Sequence, residues 1–315
     1  MAVDYPKRFG WVGLGAMGFP MATQLLQNSS ANLWIFDVDQ RVLNRFASDA
    51  PDGRVRIATN AKQVADESEC ILTIVPAGKH VKEVYLSPEV GLLAGNTSGK
   101  VFIDCSTIDI ETSKTVGDAV KMSDPQNSVA FFDCPVSGGT AGAEKGIITF
   151  MCGIAAEDEK FPLIHAILKT MGKSILPMGG RGLGLAAKLS NNYLSGIIAL
   201  ATSEAMNLGM KLGIDPKILS DCLDKGSAAN WVNSTVNPVP GVCPDAVTSK
   251  GYEGGFKVQL MEKDMKLAAE AAHNAGAKLV LGETAIGAYV SAASDPRYRD
   301  KDSRVVYKWL VDPRD

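Results

Sequence analysis

The feature that most constrains the fold is a glycine-rich segment at residues 13–18, Gly-Leu-Gly-Ala-Met-Gly, which directly follows an apolar run at residues 9–12. The apolar run predicts a strand, and the amphipathic run after the glycines predicts a helix. In such a unit Gly13 permits a tight turn, Gly15 lets a pyrophosphate lie against bare backbone, and Gly18 lets the helix pack closely on the strand. The segment therefore predicts a dinucleotide-binding turn.

A second apolar run, residues 32–36, predicts the next strand and ends directly before Asp37. Asp37 lies 19 residues after Gly18, which matches the acidic position that binds the adenosine ribose of NAD. A GxGxxG pattern alone is weak and could mark an ordinary glycine turn, but this context favours a cofactor site. The residues expected to contact NAD are Gly13, Leu14, Gly15, Ala16, Met17, Gly18 and Asp37.

The composition narrows the class of protein. A length of 315 residues suggests two domains, and a formal net charge of −3 gives no basic surface for nucleic acid. Six cysteines without a CxxC pair and three scattered histidines predict a reduced, intracellular chain with no metal site. The longest apolar region, residues 197–210, contains Glu204 and Asn207 and is short for a membrane span. It predicts a buried helix and no membrane anchor.

Strand-like and helix-like runs alternate through the first half of the chain, which indicates a parallel sheet covered on both faces. Further strands are predicted at residues 71–75, 101–104, 129–132 and 147–151, the later ones extending the sheet edge. Helices are predicted at residues 185–213, 216–225, 256–276 and 279–293, with an irregular loop at 234–255. The division is a dinucleotide-binding domain at residues 1–182 and an all-α domain at residues 183–315.

Two predicted strands end in residues that are placed to face a ligand. Val75 and Pro76 end the strand after the nucleotide-binding half, and Ser106 and Thr107 end the next one. Open α/β sheets bind ligands at this carboxyl edge. Either pair could also be a plain strand end.

A small-residue loop at residues 133–143 follows another predicted strand. Its Ser137, Gly138 and Gly139 offer a hydroxyl and exposed N–H groups, which suit a small carboxylate that needs close approach. A glycine turn with no ligand is an equally good interpretation from the spacing alone.

Three polar residues interrupt the apolar start of the helix that opens the second domain. Lys188 and Asn192 are one turn apart and share a face, with Asn191 beside them. A solvated helix end would explain them, but a site facing the dinucleotide crevice explains them better. A desolvated lysine can exchange a proton with a hydroxyl or carbonyl oxygen.

The chain resembles the β-hydroxyacid dehydrogenase family over nearly its whole length. The segments that carry the resemblance are residues 13–18, 133–139 and 184–192, and the pair Lys263-Asp264. Residues 237–242 and 252–256 are similar to the 3-hydroxyisobutyrate branch rather than to the tartronate semialdehyde, glyoxylate or 6-phosphogluconate branches. The resemblance implies an α/β Rossmann-type domain joined by a long interdomain helix to an all-α domain, assembled as homodimers or homotetramers.

The resemblance also implies roles for individual residues. Lys188 matches the catalytic lysine, and Asn192 matches the asparagine that helps hold lysine and substrate. The residues that match or are expected to line the substrate site are Ser137, Gly138, Gly139, Asn191, Trp231 and Phe256. The last two are expected as apolar walls, though either could equally be core.

Further matches lie around the cofactor. Those near the nicotinamide half are Val75, Pro76 and Thr107, and Lys263 approaches from the helical domain. His80 stands where the family often carries asparagine, which puts its predicted cofactor contact in doubt. Cys134 replaces a common alanine, and its small thiol is expected to pack rather than react.

The function implied is oxidation of 3-hydroxyisobutyrate to methylmalonate semialdehyde with NAD, in valine catabolism, without a metal. An NADPH-dependent reductase of glyoxylate or succinic semialdehyde is an alternative, although such enzymes tend to carry Asn-Arg-Thr where this chain has Asp37-Val38-Asp39. A non-catalytic nucleotide sensor is a third hypothesis, weakened by the presence of Lys188. The resembling animal enzymes are mitochondrial, which implies a location in the mitochondrial matrix. Little chain precedes the first strand, which favours a cytoplasmic location instead, and both remain expectations.

Overall fold

The computed structural model describes residues 5–50, 53–124, 126 and 128–312. It contains two compact units, Met1–Lys188 and Leu189–Asp315. The strands are β1 (Arg8–Val12), β2 (Asn32–Phe36), β3 (Val55–Ile57), β4 (Cys70–Thr73), β5 (Val101–Asp104), β6 (Ala130–Asp133), β7 (Val136–Ser137), β8 (Ile148–Cys152) and β9 (Gly172–Pro177). The helices are α1 (Gly18–Gln27), α2 (Gln40–Asp49), α3 (Ala61–Glu67), α4 (Gly78–Leu86), α5 (Ile110–Met122), α6 (Gly139–Glu144), α7 (Phe161–Lys169), α8 (Leu183–Lys211), α9 (Pro216–Lys225), α10 (Trp231–Val236), α11 (Val258–Asn274), α12 (Gly282–Ser294) and α13 (Val306–Val311).

The first unit is built on a parallel sheet of six strands in the order β3-β2-β1-β4-β5-β6. This is the doubly wound order of a dinucleotide-binding fold, in which the chain reverses direction across the sheet between β1 and β4. Every residue of β4 and β5 is buried, because helices cover both faces. One apolar cluster includes Trp11 and Met21, and a separate cluster includes Tyr85 and Phe102. The expected α/β Rossmann-type architecture is confirmed.

One expectation for the sheet is wrong. The strand predicted at residues 147–151 is β8, and it does not extend the six-stranded sheet. It pairs antiparallel with β7 and parallel with β9 in a separate three-stranded sheet. The chain leaves the large sheet after Asp133, and the N–H of Met151 donates to the carbonyl of Pro135. Sequence runs show that a segment is extended, but its pairing partner depends on contacts distant in the chain.

The second unit is helical, as expected. The four predicted helices correspond to α8, α9, α11 and α12 with ends shifted by a few residues. The expected loop at residues 234–255 is partly ordered, because α10 extends to Val236 and a 3₁₀ helix spans Val247–Lys250. The apolar region at 197–210 lies in α8 but is not wholly buried, since Leu208 is 63 % exposed. Within the described residues no helix has the length and apolar content needed to cross a membrane.

Helix α8 is the long helix of the chain, and the division between the two compact units falls within it, after Lys188. Asp133, the last residue of β6, is 1 % exposed. Its carboxylate accepts from the N–H of Gly182 at 2.7 Å and from that of Leu185 at 2.9 Å. A Cβ at Gly184 would lie 2.6 Å from the Asp133 carbonyl oxygen, so glycine is needed there. Asp133 thus binds N–H groups that the first turn of a helix leaves unpaired.

We expect Asp133→Asn to lower the free energy of unfolding by about 1–3 kcal/mol, because the amide leaves one buried N–H without an acceptor. The measurement is chemical denaturation at neutral pH. Asp118→Asn is the matched control. Asp118 is exposed and forms an ion pair with Arg181 at 2.6 Å, and surface ion pairs contribute about 0–1 kcal/mol to stability. Equal losses for the two variants would contradict a specific role for Asp133.

Candidate active site

The turn between β1 and α1 has the geometry that bound phosphates require. Gly13 has φ +98°, and a Cβ there would collide with the carbonyl oxygen of Ile74. A Cβ at Gly18 would collide with the carbonyl oxygen of Gly13. At Gly15, in contrast, no atom of the described residues other than its chain neighbours lies within 4 Å of a Cβ position. Gly13 and Gly18 must be glycine because the packing leaves no room for a side chain. Gly15 instead leaves open space where a pyrophosphate fits.

The start of α1 faces this turn without a side-chain cap. The N-cap residue is Met17, whose side chain makes no capping hydrogen bond. The exposed N–H groups of a helix start attract anions. Leu14 is buried in the core, and Ala16 is exposed in the turn. The predicted turn residues therefore divide into those that build the turn and those that offer backbone to a ligand.

Asp37 lies directly after β2 and is half-buried. One carboxylate oxygen accepts from the N–H of Leu14 at 2.6 Å, and the other accepts from the N–H of Asp39 at 2.9 Å. The structure therefore brings Asp37 next to the glycine turn, as the spacing predicts. A carboxylate in this position can accept hydrogen bonds from ribose hydroxyls.

The ends of β4 and β5 bring together the residues predicted around the nicotinamide. The N–H of Val75 donates to the hydroxyl of Ser106 at 2.9 Å. Pro76 is exposed and Thr107 is half-buried on the same two chain segments. His80 lies in the first turn of α4, and its Nδ1 is buried with no hydrogen-bond partner within the part of the chain that the structure describes. A ring nitrogen left in this way is available to a ligand.

The predicted carboxylate loop spans the end of β7 and the start of α6. Ser137 is half-buried, and Gly138 and Gly139 are exposed. Both glycines have positive φ, at +133° and +64°, a backbone conformation that residues with a side chain rarely adopt. Within the part of the chain that the structure describes, and outside its own turn of helix, no atom lies within 4 Å of a Cβ built at Gly139, so the backbone is open to a ligand. Cys134, just before the loop, is fully buried and packs, as expected.

Lys188 lies near the start of α8 and is 7 % exposed. A lysine is seldom this buried without a role or a partner. Asn192 follows one turn later on the same helix and is 6 % exposed. The two side chains therefore project from one face of α8, as the spacing predicts.

In the second unit Asn192 belongs to a buried polar chain that sequence reasoning did not find. Its amide donates to Asp264 at 2.5 Å, and the Lys263 ammonium lies 3.2 Å from the other carboxylate oxygen of Asp264. Asn191 is exposed, and its amide donates to the Asn192 side chain at 3.0 Å. Asp264 is 2 % exposed and holds the Asn192 amide in one orientation.

A second ion pair in this unit connects the two predicted apolar walls. Asp302 is fully buried and accepts from the N–H of Phe256 at 2.9 Å and from Arg304 at 2.8 Å. The Arg304 guanidinium lies over the Trp231 ring, 5.7 Å from its centroid. Trp231 is 58 % exposed, so it is not a core residue. No motif signalled Asp302 or Arg304.

The predicted site residues thus form two groups. The first unit holds the glycine turn, Asp37, the strand ends, the carboxylate loop and Lys188, and the second unit holds Asn191, Asn192, Trp231, Phe256 and Lys263. In the described ranges no three His, Cys, Asp or Glu side chains are grouped so as to hold a metal ion. The glycine turn and Asp37 fit a dinucleotide.

Two family models cover the chain. The model of the NAD binding domain of 6-phosphogluconate dehydrogenase matches residues 8–180. The model described as the NAD-binding of NADP-dependent 3-hydroxyisobutyrate dehydrogenase matches residues 182–310. Both halves of the chain therefore match dehydrogenases that bind a nicotinamide dinucleotide.

Similar proteins match over the full length. The chain is 39 % identical to a "Probable 3-hydroxyisobutyrate dehydrogenase, mitochondrial" from Dictyostelium discoideum, over 98 % of this chain and 92 % of the relative. It is 37 % identical to an NAD-dependent L-serine dehydrogenase from Pseudomonas aeruginosa, over 98 % of each protein. The solved structure of Mycobacterium tuberculosis 3-hydroxyisobutyrate dehydrogenase with L-serine has a TM-score of 0.86 at 29 % identity, covering 97 % of this chain and 99 % of that one. The chain belongs to the 3-hydroxyisobutyrate dehydrogenase group of the β-hydroxyacid dehydrogenase family, oxidoreductases that bind NAD(P) and act on CH–OH groups.

Proposed function

We propose that this enzyme oxidises 3-hydroxyisobutyrate to methylmalonate semialdehyde with NAD, a step of valine catabolism. The observation that carries the proposal is a buried lysine, Lys188, one helical turn before a buried asparagine that Asp264 orients. A lysine in these surroundings can exchange a proton with the substrate hydroxyl. The 3-hydroxyisobutyrate dehydrogenases among the full-length relatives support the choice of substrate.

The residues of the chain divide the work of the reaction. The hydroxyl of Ser137 and the N–H groups of Gly138 and Gly139 hold the substrate carboxylate, which positions the reacting carbon. Lys188 accepts the hydroxyl proton during oxidation and returns it during reduction. Asn192 orients the lysine and the substrate oxygen. A bound nicotinamide dinucleotide would supply the hydride acceptor for oxidation and the hydride donor for reduction.

L-Serine is a second candidate substrate. The relatives include an L-serine dehydrogenase, and the similar solved structure contains L-serine. L-Serine keeps the carboxylate and the CH₂OH group but has an ammonium where 3-hydroxyisobutyrate has a methyl. Trp231 and Phe256 are expected to be apolar walls of the substrate site. An apolar wall favours the methyl compound.

We also propose a homodimer or homotetramer in the mitochondrial matrix. Relatives from the mouse and human, each 36 % identical, are named as mitochondrial enzymes. A cytoplasmic location is the alternative, and fractionation of cells that express the full chain distinguishes the two.

The choice of cofactor tests the role of Asp37. NAD should be preferred over NADP, because the Asp37 carboxylate repels a 2′-phosphate, and Asp37→Asn should narrow that preference. The measurement is kcat/KM with each cofactor. Asp49→Asn is the matched control, since Asp49 is exposed at the far end of α2 and should leave the ratio unchanged. Equal or better turnover of the unaltered enzyme with NADP would refute the assignment.

Replacing Ser137 tests the carboxylate loop. Ser137→Ala should raise the KM for the hydroxy acid by a factor that corresponds to about 1.5–3 kcal/mol, the contribution of a hydrogen bond to a charged group. The dissociation constant of NAD should change little. Ser48→Ala, an exposed serine on α2, is the control. If Ser137→Ala leaves both KM and kcat unaltered, the loop is only a turn.

Lys188 separates an enzyme from a nucleotide sensor. Lys188→Ala or Lys188→Met should lower kcat by about 10²- to 10⁴-fold, the usual contribution of general acid–base catalysis. Lys188→Arg should not restore turnover, because a guanidinium stays protonated. NAD binding by calorimetry should survive. Lys211→Ala, at the exposed end of the same helix, should be active, and near-normal turnover by Lys188→Ala would disprove the mechanism.

A further inference from the structure

A chain of buried hydrogen bonds lies at the carboxyl ends of β4 and β5, beneath the predicted nicotinamide position. Asp104, the last residue of β5, is 1 % exposed. Its Oδ1 accepts from the hydroxyl of Thr73 at 2.7 Å and from the hydroxyl of Ser106 at 2.7 Å. The N–H of Ser106 also points to this oxygen, at 3.2 Å. Three donors therefore converge on one carboxylate oxygen.

The carboxylate determines the direction of every hydrogen bond in this chain. Ser106 has one hydroxyl proton, and because it goes to Asp104 the serine oxygen is left to accept the N–H of Val75 at 2.9 Å. Thr73 likewise uses its proton on Asp104, so Tyr85 must donate to Thr73, at 3.1 Å. The backbone of Val75 is thus held through Ser106 by a group on the neighbouring strand.

The charge on Asp104 is sensitive to pH. Burial raises its pKa to about 6, against the lowering effect of its hydrogen bonds with Ser106 and Thr73. The titratable groups that face it are Tyr85 from α4, Cys105 next in the chain and Asp133 from β6. Burial also raises the pKa of each of these groups. Above pH 6 Asp104 is ionised and a strong acceptor, and below pH 6 it is neutral and a weaker one.

We propose that Asp104 is a positioning residue for the nicotinamide half of the dinucleotide. Its carboxylate orients the Ser106 hydroxyl, and that hydroxyl holds the Val75 amide, so the segment after β4 keeps the shape that receives the ring. This inference rests on the proposed placement of Val75 and Pro76 beside the nicotinamide. Binding of the nicotinamide half would then depend on Asp104, although Asp104 does not itself contact the cofactor.

The inference predicts a pH effect on one half of the cofactor only. As Asp104 takes up a proton below pH 6, its hold on Ser106 weakens, and NAD affinity should fall about 5- to 30-fold, the effect of one or two kcal/mol. ADP-ribose lacks the nicotinamide ring but keeps the groups that bind the glycine turn and Asp37. Its affinity should not follow the same titration.

The experiment is calorimetry of the full chain with NAD and with ADP-ribose, at intervals from pH 5 to pH 8. The measured quantity is the ratio of the two dissociation constants. In the unaltered protein the ratio should change with a midpoint near pH 6. Asp104→Asn cannot ionise, so its ratio should be the same at every pH.

Two variants of Thr73 keep the test independent of how well Asp104→Asn folds. Thr73→Val removes a donor to the ionised form of Asp104, and the midpoint should therefore move to higher pH. Thr73→Ser keeps the hydroxyl and should leave the midpoint unchanged. A role in stability alone would not move a midpoint in this paired way.

Several results would overturn the inference. A parallel fall in NAD and ADP-ribose affinity would place the titrating group elsewhere, and so would a wild-type midpoint in Asp104→Asn or in Thr73→Val. If the unaltered protein bound ADP-ribose at no pH, the dinucleotide site at residues 13–18 would itself be wrong. That failure is distinct, because it precedes any comparison of ratios.

Discussion

The close backbone contact between the β1–α1 turn and the end of β4 is the constraint on which the first unit depends. Gly13 lies against the Ile74 carbonyl, and Gly18 lies against the Gly13 carbonyl, with no room for a Cβ at either glycine. This contact joins the two strands at which the sheet order reverses. The same absence of side chains that permits the packing leaves backbone N–H groups exposed for a pyrophosphate. Folding and cofactor binding therefore demand glycine for different reasons in the same turn.

Buried polar side chains at the ends of the neighbouring strands extend this arrangement across the sheet. Thr73, Asp104 and Asp133 end β4, β5 and β6, and each is about 1 % exposed. Burial of such groups is costly unless they are hydrogen-bonded. Thr73 bonds to Asp104 and Tyr85, and the two aspartates bond to segments that leave the sheet, Asp104 to Ser106 and Asp133 to the start of α8. The strand ends thus fix the conformation of the loops where ligands bind.

The parts of the fold that the sequence predicts are those with local signals. The apolar runs of β1, β2, β4 and β5 and the glycine turn can be recognised within a few residues of chain. The sequence does not predict strands β3, β7 and β9, because β3 and β7 are very short and β9 lacks the alternation typical of a strand, with buried residues only at Gly172 and Ile175. The pairing of β8 was mispredicted because strand partners depend on long-range contacts.

The same distinction applies to the candidate site. Asp37 and Lys188 stand in recognisable motifs. The residues that position other candidate site residues through hydrogen bonds are, in contrast, distant from them in the sequence. Asn192 and Asp264 are 72 residues apart, and Asp302 is 46 residues from Phe256. No spacing rule links such pairs, and only the fold brings them together. Asp133 shows how far this reaches, since it fixes the first turn of α8 and Lys188 follows within the next turn. The position of Lys188, to which we assign the proton transfer, thus depends on Asp133, a residue of the 133–139 segment to which the motif itself assigns no role.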